Sequence, residues 1–459
     1  MRTHSPLGTI TEPSREIPVC YEADVVVVGG GPGGHAAAVA AARNGAHTVL
    51  VERYGHLGGM ATGGIVIQIP HMSDGSREQQ IAGLCQEWLD RLDAVGGTLH
   101  PPKELIGSSD RQACARWQRF FGTVIGGRIR QTAWVDPELL KCVLNDMVKE
   151  ANVKLFLHSW GTRAITEDGK VKGVVFESKS GRQAILGQIT IDGTGDGDLL
   201  PSAGAAYDDV WDPKIRSSQL ALVFRIGNAD FNKLADFRES NLEKYNELMA
   251  GMAKAAGMRF LPLPTPRNDV VWMNNWVPNV SAINVEDLTK TELSVRRMML
   301  PAHDFLKAHV PGFEKSFIID TAPQIGTRGS RRLVGEYTLT SDDFQSGKTY
   351  EDTIAWFSPV GMGEGKNGFR VHIPYRCLVP EKMNGLLVAG RSFASDAKAN
   401  DAANLIPHCV AMGEASGTAA ALAIKHGIEP RKINYRELQE QLIKQGVPLP
   451  GPVKNGARV

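Results

Sequence analysis

Residues 25–28 are four branched apolar residues in a row, Val25-Val26-Val27-Val28. An unbroken run of this kind suits a parallel strand buried on both faces. Gly29-Gly30-Gly31-Pro32-Gly33-Gly34 follows and forces a turn. Residues 35–44 are mostly alanine and stop at Gly45, which predicts a helix with glycine just past its end. The next apolar run, Val49-Leu50-Val51, stops at an acid, Glu52. Ile81, Leu84, Trp88, Leu89 and Leu92 then recur at helical spacing. Asp136-Pro137 opens a well-signalled helix, with Asp136 as N-cap and Leu139, Leu140, Val143, Leu144 and Met147 on one face. Strands are predicted at residues 154–157, 161–166, 171–178 and 188–191, with Asp168-Gly169 as a hairpin turn. A long helix at 291–310, a strand at 386–389, a small-residue helix at 407–425 and a last helix at 435–445 complete the pattern.

The style of the chain changes along its length. Tryptophan and proline rise within 206–379, and 380–425 returns to the glycine and alanine of the beginning. The expected fold is α/β. A Rossmann-type domain, discontinuous in sequence, is assembled from 20–74, 131–205 and 380–430, with a parallel sheet and a small β-meander. A helical insertion occupies 75–130, a mixed α/β substrate domain 206–379, and a helix and tail 431–459. Residues 1–20 read as an arm leading into the first strand. At 459 residues the chain is too long for one ordinary core.

Strand, glycine turn, helix, strand and acid together have one common physical use, which is to hold the pyrophosphate and ribose of a dinucleotide. Gly29 lets the chain turn sharply, Gly31 keeps side chains away from a phosphate, and Gly34 lets the helix lie close to the strand. The N–H groups and dipole at the helix start favour a diphosphate. Glu52, 18 residues after Gly34, suits ribose hydroxyls and disfavours a 2′-phosphate.

Net charge is +1, so no bulk field recruits nucleic acid or an anionic membrane. The polar N-terminus lacks the apolar stretch of a signal peptide, and no window has 18 unbroken apolar residues; the expected location is the cytoplasm. The six cysteines form no CxxC pair, which argues against a disulfide scaffold, a thiolate metal site and a dithiol couple. Cys409 falls nearest the expected cofactor.

Five blocks carry a resemblance. They are Gly29–Gly34 with Glu52; Leu57-Gly58-Gly59-Met60-Ala61-Thr62; Ile191-Asp192-Gly193-Thr194-Gly195-Asp196-Gly197-Asp198; Arg328-Gly329-Ser330-Arg331-Arg332-Leu333-Val334-Gly335; and Leu387-Val388-Ala389-Gly390-Arg391 with Met412-Gly413-Glu414-Ala415-Ser416-Gly417. In order and spacing, from about residue 24 to 449, the chain resembles the FAD-dependent oxidoreductases of the glutathione-reductase-like superfold. The resemblance implies noncovalent FAD in the Rossmann-type domain. It implies binding through Gly29, Gly31, Pro32, Gly33, Gly34, Glu52 and Arg53, through Gly58, Gly59, Met60, Ala61 and Thr62, through Asp192, Gly193, Thr194 and Gly195, and through Gly390, Arg391, Asn404, Leu405 and Ile406. Where such sequences often carry arginine ahead of the final helix, this chain has Asn404. Pro407 suits the first helical position, and free N–H groups around 405–408 would aim a positive dipole end at the flavin pyrimidine. Asp196 and Asp198 read as caps or ion-pair partners.

No second glycine fingerprint for a nicotinamide domain is found; Gly361-Met362-Gly363-Glu364-Gly365 reads as a surface loop. Electrons would then enter from the substrate or a diffusing reductant. Arg328, Arg331 and Arg332 form one basic cluster, and Arg370, His372, Tyr375 and Arg376 another. Guanidinium forks suit the carboxylate of an anionic small-molecule substrate, or else they pair with acids such as Glu336, Asp342 or Asp343. Candidate catalytic residues are His372, Tyr375 and His408 for proton transfer, with Arg328 and Arg376; His71 is a weaker candidate. The expected function is hydride transfer between a small organic substrate and flavin N5. The alternatives are a flavin monooxygenase with an external reductant and a non-redox flavoprotein that binds a partner such as RNA. No nucleic acid, membrane or metal is expected as a partner, and a homo-oligomer is open.

Overall fold

The computed structural model describes residues 8–210, 212–360 and 370–450. The stretch 361–365, read as a surface loop, and residues 1–7 of the arm lie outside them. The elements that build the site are strand β1 (Val19–Val28), helix α1 (Pro32–Arg43), β2 (Thr48–Val51), α2 (Leu84–Asp93), α3 (Pro137–Glu150), β3 (Lys154–Phe156), β4 (Trp160–Glu167), β5 (Lys170–Ser178), β6 (Gly181–Asp192), β7 (Leu386–Val388), α4 (Ile406–His426) and α5 (Tyr435–Lys444).

Strands β3, β2, β1 and β6 pair in that order, all parallel. β6 is long enough to serve two neighbours. Its first half pairs antiparallel with β5, which returns through β4 as a meander, and its last three residues pair in parallel with β7. The register Val28↔Asp192 brings the carboxyl ends of β1 and β6 side by side, where open α/β sheets bind ligands. The hairpin turn is as read: Asp168 and Gly169 both have positive φ. Two strands run longer than their apolar patterns. β1 starts at Val19, so the end of the arm is sheet, and β6 starts at Gly181 rather than 188. Their extra residues pair with each other, from Val19↔Ala184 onward, and among them only Ala184 and Ile185 are buried, so backbone hydrogen bonds carry most of the extension.

The predicted face of α2 is buried: Ile81, Leu84, Trp88, Leu89 and Leu92 all sit in the core. Asp136 caps α3 by accepting from the N–H groups of Glu138 and Leu139. Four antiparallel strands, Phe260–Leu263, Val270–Asn275, Phe224–Gly227 and Phe317–Thr321, form a second sheet in that order within the middle of the chain, accompanied by the helix Val285–His309. Among the described residues no helix is long and apolar enough to cross a membrane.

Helix α4 is buried from Ile406 to Ala423 and lies directly on α1. Its one acid, Glu414, accepts from the Leu84 N–H at 2.9 Å and from Gln445 Nε2 at 3.3 Å. Burial pushes this carboxyl up to about 7. The folded state therefore holds a proton that the unfolded state releases near its ordinary value, and stability falls as pH rises from about 4.5 to 7. Glu414→Gln keeps an acceptor for Leu84 without the charge. Its unfolding free energy is expected to overtake wild type across that window, by roughly 3 kcal/mol at pH 8. Denaturant titrations at pH 5 and pH 8 with no change in the difference would refute this.

Candidate functional site

The carboxyl end of the sheet carries a groove of about 700 Å³. Its walls come from three distant stretches: the β1–α1 turn with Glu52 and Arg53, the Gly193–Gly195 bend, and Ala389-Gly390-Arg391. Gly29 has φ +95°, and a Cβ there would lie 2.6 Å from the Gly193 carbonyl oxygen, so two backbone turns meet with no room for a side chain. Gly34 seals the same junction from inside, 1.8 Å from the Gly29 carbonyl oxygen by the same measure. A Cβ on Gly31 would meet nothing within 4 Å, because it points into the groove at the start of α1. Pro32 and Gly33 complete this wall.

Glu52 accepts from the Gly30 N–H at 2.6 Å and the Tyr54 N–H at 2.8 Å. Burial raises its carboxyl, while those two bonds and Arg53 act the other way. Arg53 lies over the rings of Tyr54 and Trp160, at 5.0 and 5.8 Å. Trp160 is 56% exposed at the start of β4 and lines the groove. It is absent from the sequence reading, where the only available signal was a tryptophan opening a strand.

Several expected contacts prove to be supports instead. Asp192 is fully buried and accepts from the N–H and hydroxyl of Thr194 and from the Leu199 N–H, so it shapes the bend rather than lining the groove. Burial raises its carboxyl to about 6. Gly59 and Met60 line the groove, but Gly58, Ala61 and Thr62 do not; the Thr62 hydroxyl donates to the Leu57 carbonyl and ties the loop to itself. Asp196 pairs with Arg391 at 2.9 Å and Asp198 with Arg331 at 3.1 Å, the ion-pair roles read for them.

A second cavity, of about 560 Å³, adjoins the first. Pro32, Met60, Thr327, Arg391 and Cys409 line both. The second is otherwise bounded by Val66, Arg216, Ala221, Gly326, Arg328, Asn404, Leu405 and Ile406. Asn404, Leu405 and Ile406 therefore belong here and not to the groove. The helix start also departs from expectation. Ile406 takes the first helical position and Pro407 the second. The Leu405 N–H donates to His408 Nδ1 at 3.3 Å, so one of the donors expected at the flavin is already used.

The basic residues separate cleanly. Arg331 pairs with Asp198, Arg332 with Asp208, Arg370 with Asp74 and Glu78, and Arg376 with the buried Asp352. These are structural clamps, though not with the acids named from sequence, and Arg376 lines neither cavity. Arg328 remains. It donates to the Leu220 and Asn275 carbonyls, at 3.2 and 3.3 Å, and burial beside Arg216 lowers its guanidinium to about 9.

Of the proton-transfer candidates, none lines either cavity. The Tyr375 hydroxyl is buried and donates to the Pro430 carbonyl near α5. His372 stacks on Trp356, and burial lowers it to about 4. His408 stacks on Phe357 at 3.8 Å, caps α4, and is lowered to about 3 by burial and by Arg216. Tyr375 and His408 are packed into the core and His372 is half-buried, so none of the three is placed at either cavity. His71 is buried beside His408 and Arg130.

A model of the family described as FAD dependent oxidoreductases matches residues 24–442. No curated protein matches the chain. Among solved structures, it is similar to a geranylgeranyl bacteriochlorophyll reductase-like protein from Thermoplasma acidophilum, at 15% identity over 93% of this chain and 84% of that one, TM-score 0.45. It is also similar to p-nitrophenol 4-monooxygenase PnpA from Pseudomonas putida, at 12% identity over 92% and 84%, TM-score 0.46. The myxobacterial halogenase CndH matches at 12% identity over 92% and 78%, TM-score 0.46.

Proposed function

Because the chain belongs to the FAD dependent oxidoreductase family, we propose that it transfers a hydride between flavin N5 and a small organic, carboxylate-bearing substrate held in the second cavity. The observation that carries this reading is the wall shared by groove and cavity, at Pro32, Met60, Thr327, Arg391 and Cys409. A ligand in the cavity would lie against whatever part of FAD reaches that wall.

The residues present fit FAD held without a covalent bond. The Gly31 face is open where a pyrophosphate would lie, at the N–H end of α1. Glu52 keeps carboxylate lone pairs for a ribose. Arg53 and Trp160 offer a stacking surface for a flat base. When bound, FAD supplies the two-electron chemistry. The protein's part is to bind and orient. Leu405, Ile406, Val66 and Met60 would exclude water from the reacting face, and Cys409 stays a neutral thiol because burial raises it to about 11. Among the described residues no histidine or tyrosine lines the cavity, so a proton leaving the substrate would pass to solvent or to another acceptor on the ligand.

Anaerobic addition of hydroxy acids and amines to the yellow protein tests the reading. Bleaching of the visible band by one class is the expected result. Bleaching only by NAD(P)H, followed by oxygen consumption and a hydroxylated product once air is admitted, would replace it with a monooxygenase.

A further inference from the structure

Resting on that reading of the second cavity, we infer that Arg216 and Arg328 form a clamp for the carboxylate of a substrate that carries a single negative charge on an apolar body. The two side chains come from segments more than a hundred residues apart and meet on one wall. Arg216 does not figure in the sequence reading at all.

Neither guanidinium is matched as the other arginines near the groove are. Arg391, the third on this wall, is paired with Asp196. Arg328 donates to two carbonyl oxygens and lies over the Trp276 ring at 5.6 Å, and among the described residues it has no carboxylate within ion-pair distance. Arg216 donates to the Asp401 carbonyl and to Asn404 Oδ1, while its Nε is buried without a partner. The Asp401 carboxylate is 3.6 Å away and already accepts the Ser217 N–H at 2.6 Å. Asn404 ties the pair together, since its Nδ2 donates to the Arg328 carbonyl at 2.8 Å. Arg216 keeps 26% of its side-chain surface accessible and lines the second cavity.

The charges on this wall then count as follows. Arg391 and Asp196 cancel. Arg216, Arg328 and Asp401 leave one positive charge over. Two like charges buried together are unfavourable unless an anion joins them, and a planar carboxylate is the partner that a guanidinium fork recognises. One surplus charge selects a monoanion over a dianion. The rest of the lining is mostly apolar, from Val66, Ala221, Leu405 and Ile406 with Pro32 and Met60, and its polar side chains, Thr327 and Asn404, are uncharged.

Calorimetric titration of the purified protein with butyrate, octanoate and benzoate, against benzamide and phthalate, tests the clamp. At least one monocarboxylate is expected to bind, with benzamide and phthalate weaker by tenfold or more, as loss of a charge-assisted hydrogen bond implies. Arg216→Met and Arg328→Met are each expected to weaken that ligand about 10- to 100-fold, Arg328→Lys to recover part of the loss, and Arg370→Met to change nothing. Flavin content, read at the visible band, should be equal in all of them. Equal affinity for benzoate and benzamide, wild-type affinity in both methionine variants, or no monocarboxylate binding would overturn the clamp. A colourless protein would overturn the oxidoreductase reading alone, because the heats still decide the clamp.

Discussion

Gly417→Ala is expected to lower the unfolding free energy by about 3 kcal/mol or more, the cost of forcing one methyl into a fully packed helix contact. A Cβ at Gly417 would lie 2.1 Å from the Ala37 carbonyl oxygen and 2.9 Å from Ala37 Cα. One turn earlier, a Cβ at Gly413 would lie 2.0 Å from the Gly33 carbonyl oxygen. The obstacle is backbone in both cases, so no rotamer change relieves it. α1 cannot retreat, because its other side lies on β1 and β2, whose valines are buried. Alanine would ordinarily favour a helix over glycine by nearly 1 kcal/mol, so a loss here reports the contact rather than propensity. Denaturant unfolding of the two proteins measures it. A difference under about 0.5 kcal/mol would mean that α1 and α4 are not in backbone contact.

Gly31→Val should do the opposite: leave the protein folded and remove its cofactor. The added side chain meets no protein atom within 4 Å. Stability should fall only by the preference for glycine over valine at a helix N-cap, about 1 kcal/mol. The same side chain would occupy the space in front of the first N–H groups of α1, where a pyrophosphate is best held. Displacing it should weaken FAD by at least about 100-fold, on the scale of overpacking energies. The variant is expected to purify colourless, with a cooperative unfolding transition. Wild-type flavin content in this variant would show that the pyrophosphate lies elsewhere.

These two glycines mark a limit of sequence reading. The turn from Gly29 to Gly34 was legible because strand, turn, helix and acid follow one another within thirty residues, and each constraint acts on its neighbours. Asp136 at its N-cap and the Asp168-Gly169 hairpin were legible for the same reason. Gly417 closes one of the five blocks but no contact could be assigned to it, since the backbone it touches belongs to a helix 380 residues earlier. β6 was read too short because its first half, with Gly181, Arg182, Gln183 and Gly187, shows no long apolar run and extends by pairing with β5 and β1.

The arginines and histidines show the harder case. Residue type made Arg328, Arg376, His372, Tyr375 and His408 equally plausible. Nothing local says that Asp352 lies under Arg376, that Pro430 receives the Tyr375 hydroxyl, or that Phe357 covers His408. Nor could it raise Arg216 beside Arg328, which depends on Asn404 crossing between them.

The amino-acid order alone determined that this protein has a Rossmann-type βαβ unit, a membership in the FAD dependent oxidoreductases, and a turn of glycines that keeps side chains out of the groove. Those properties rest on short-range rules: period, turn chemistry and the size of a side chain. Only the tertiary structure decided which charged groups are neutralised and which face a cavity. A charge is defined by what lies within a few ångströms of it, and chain crossings far apart in sequence supply those neighbours.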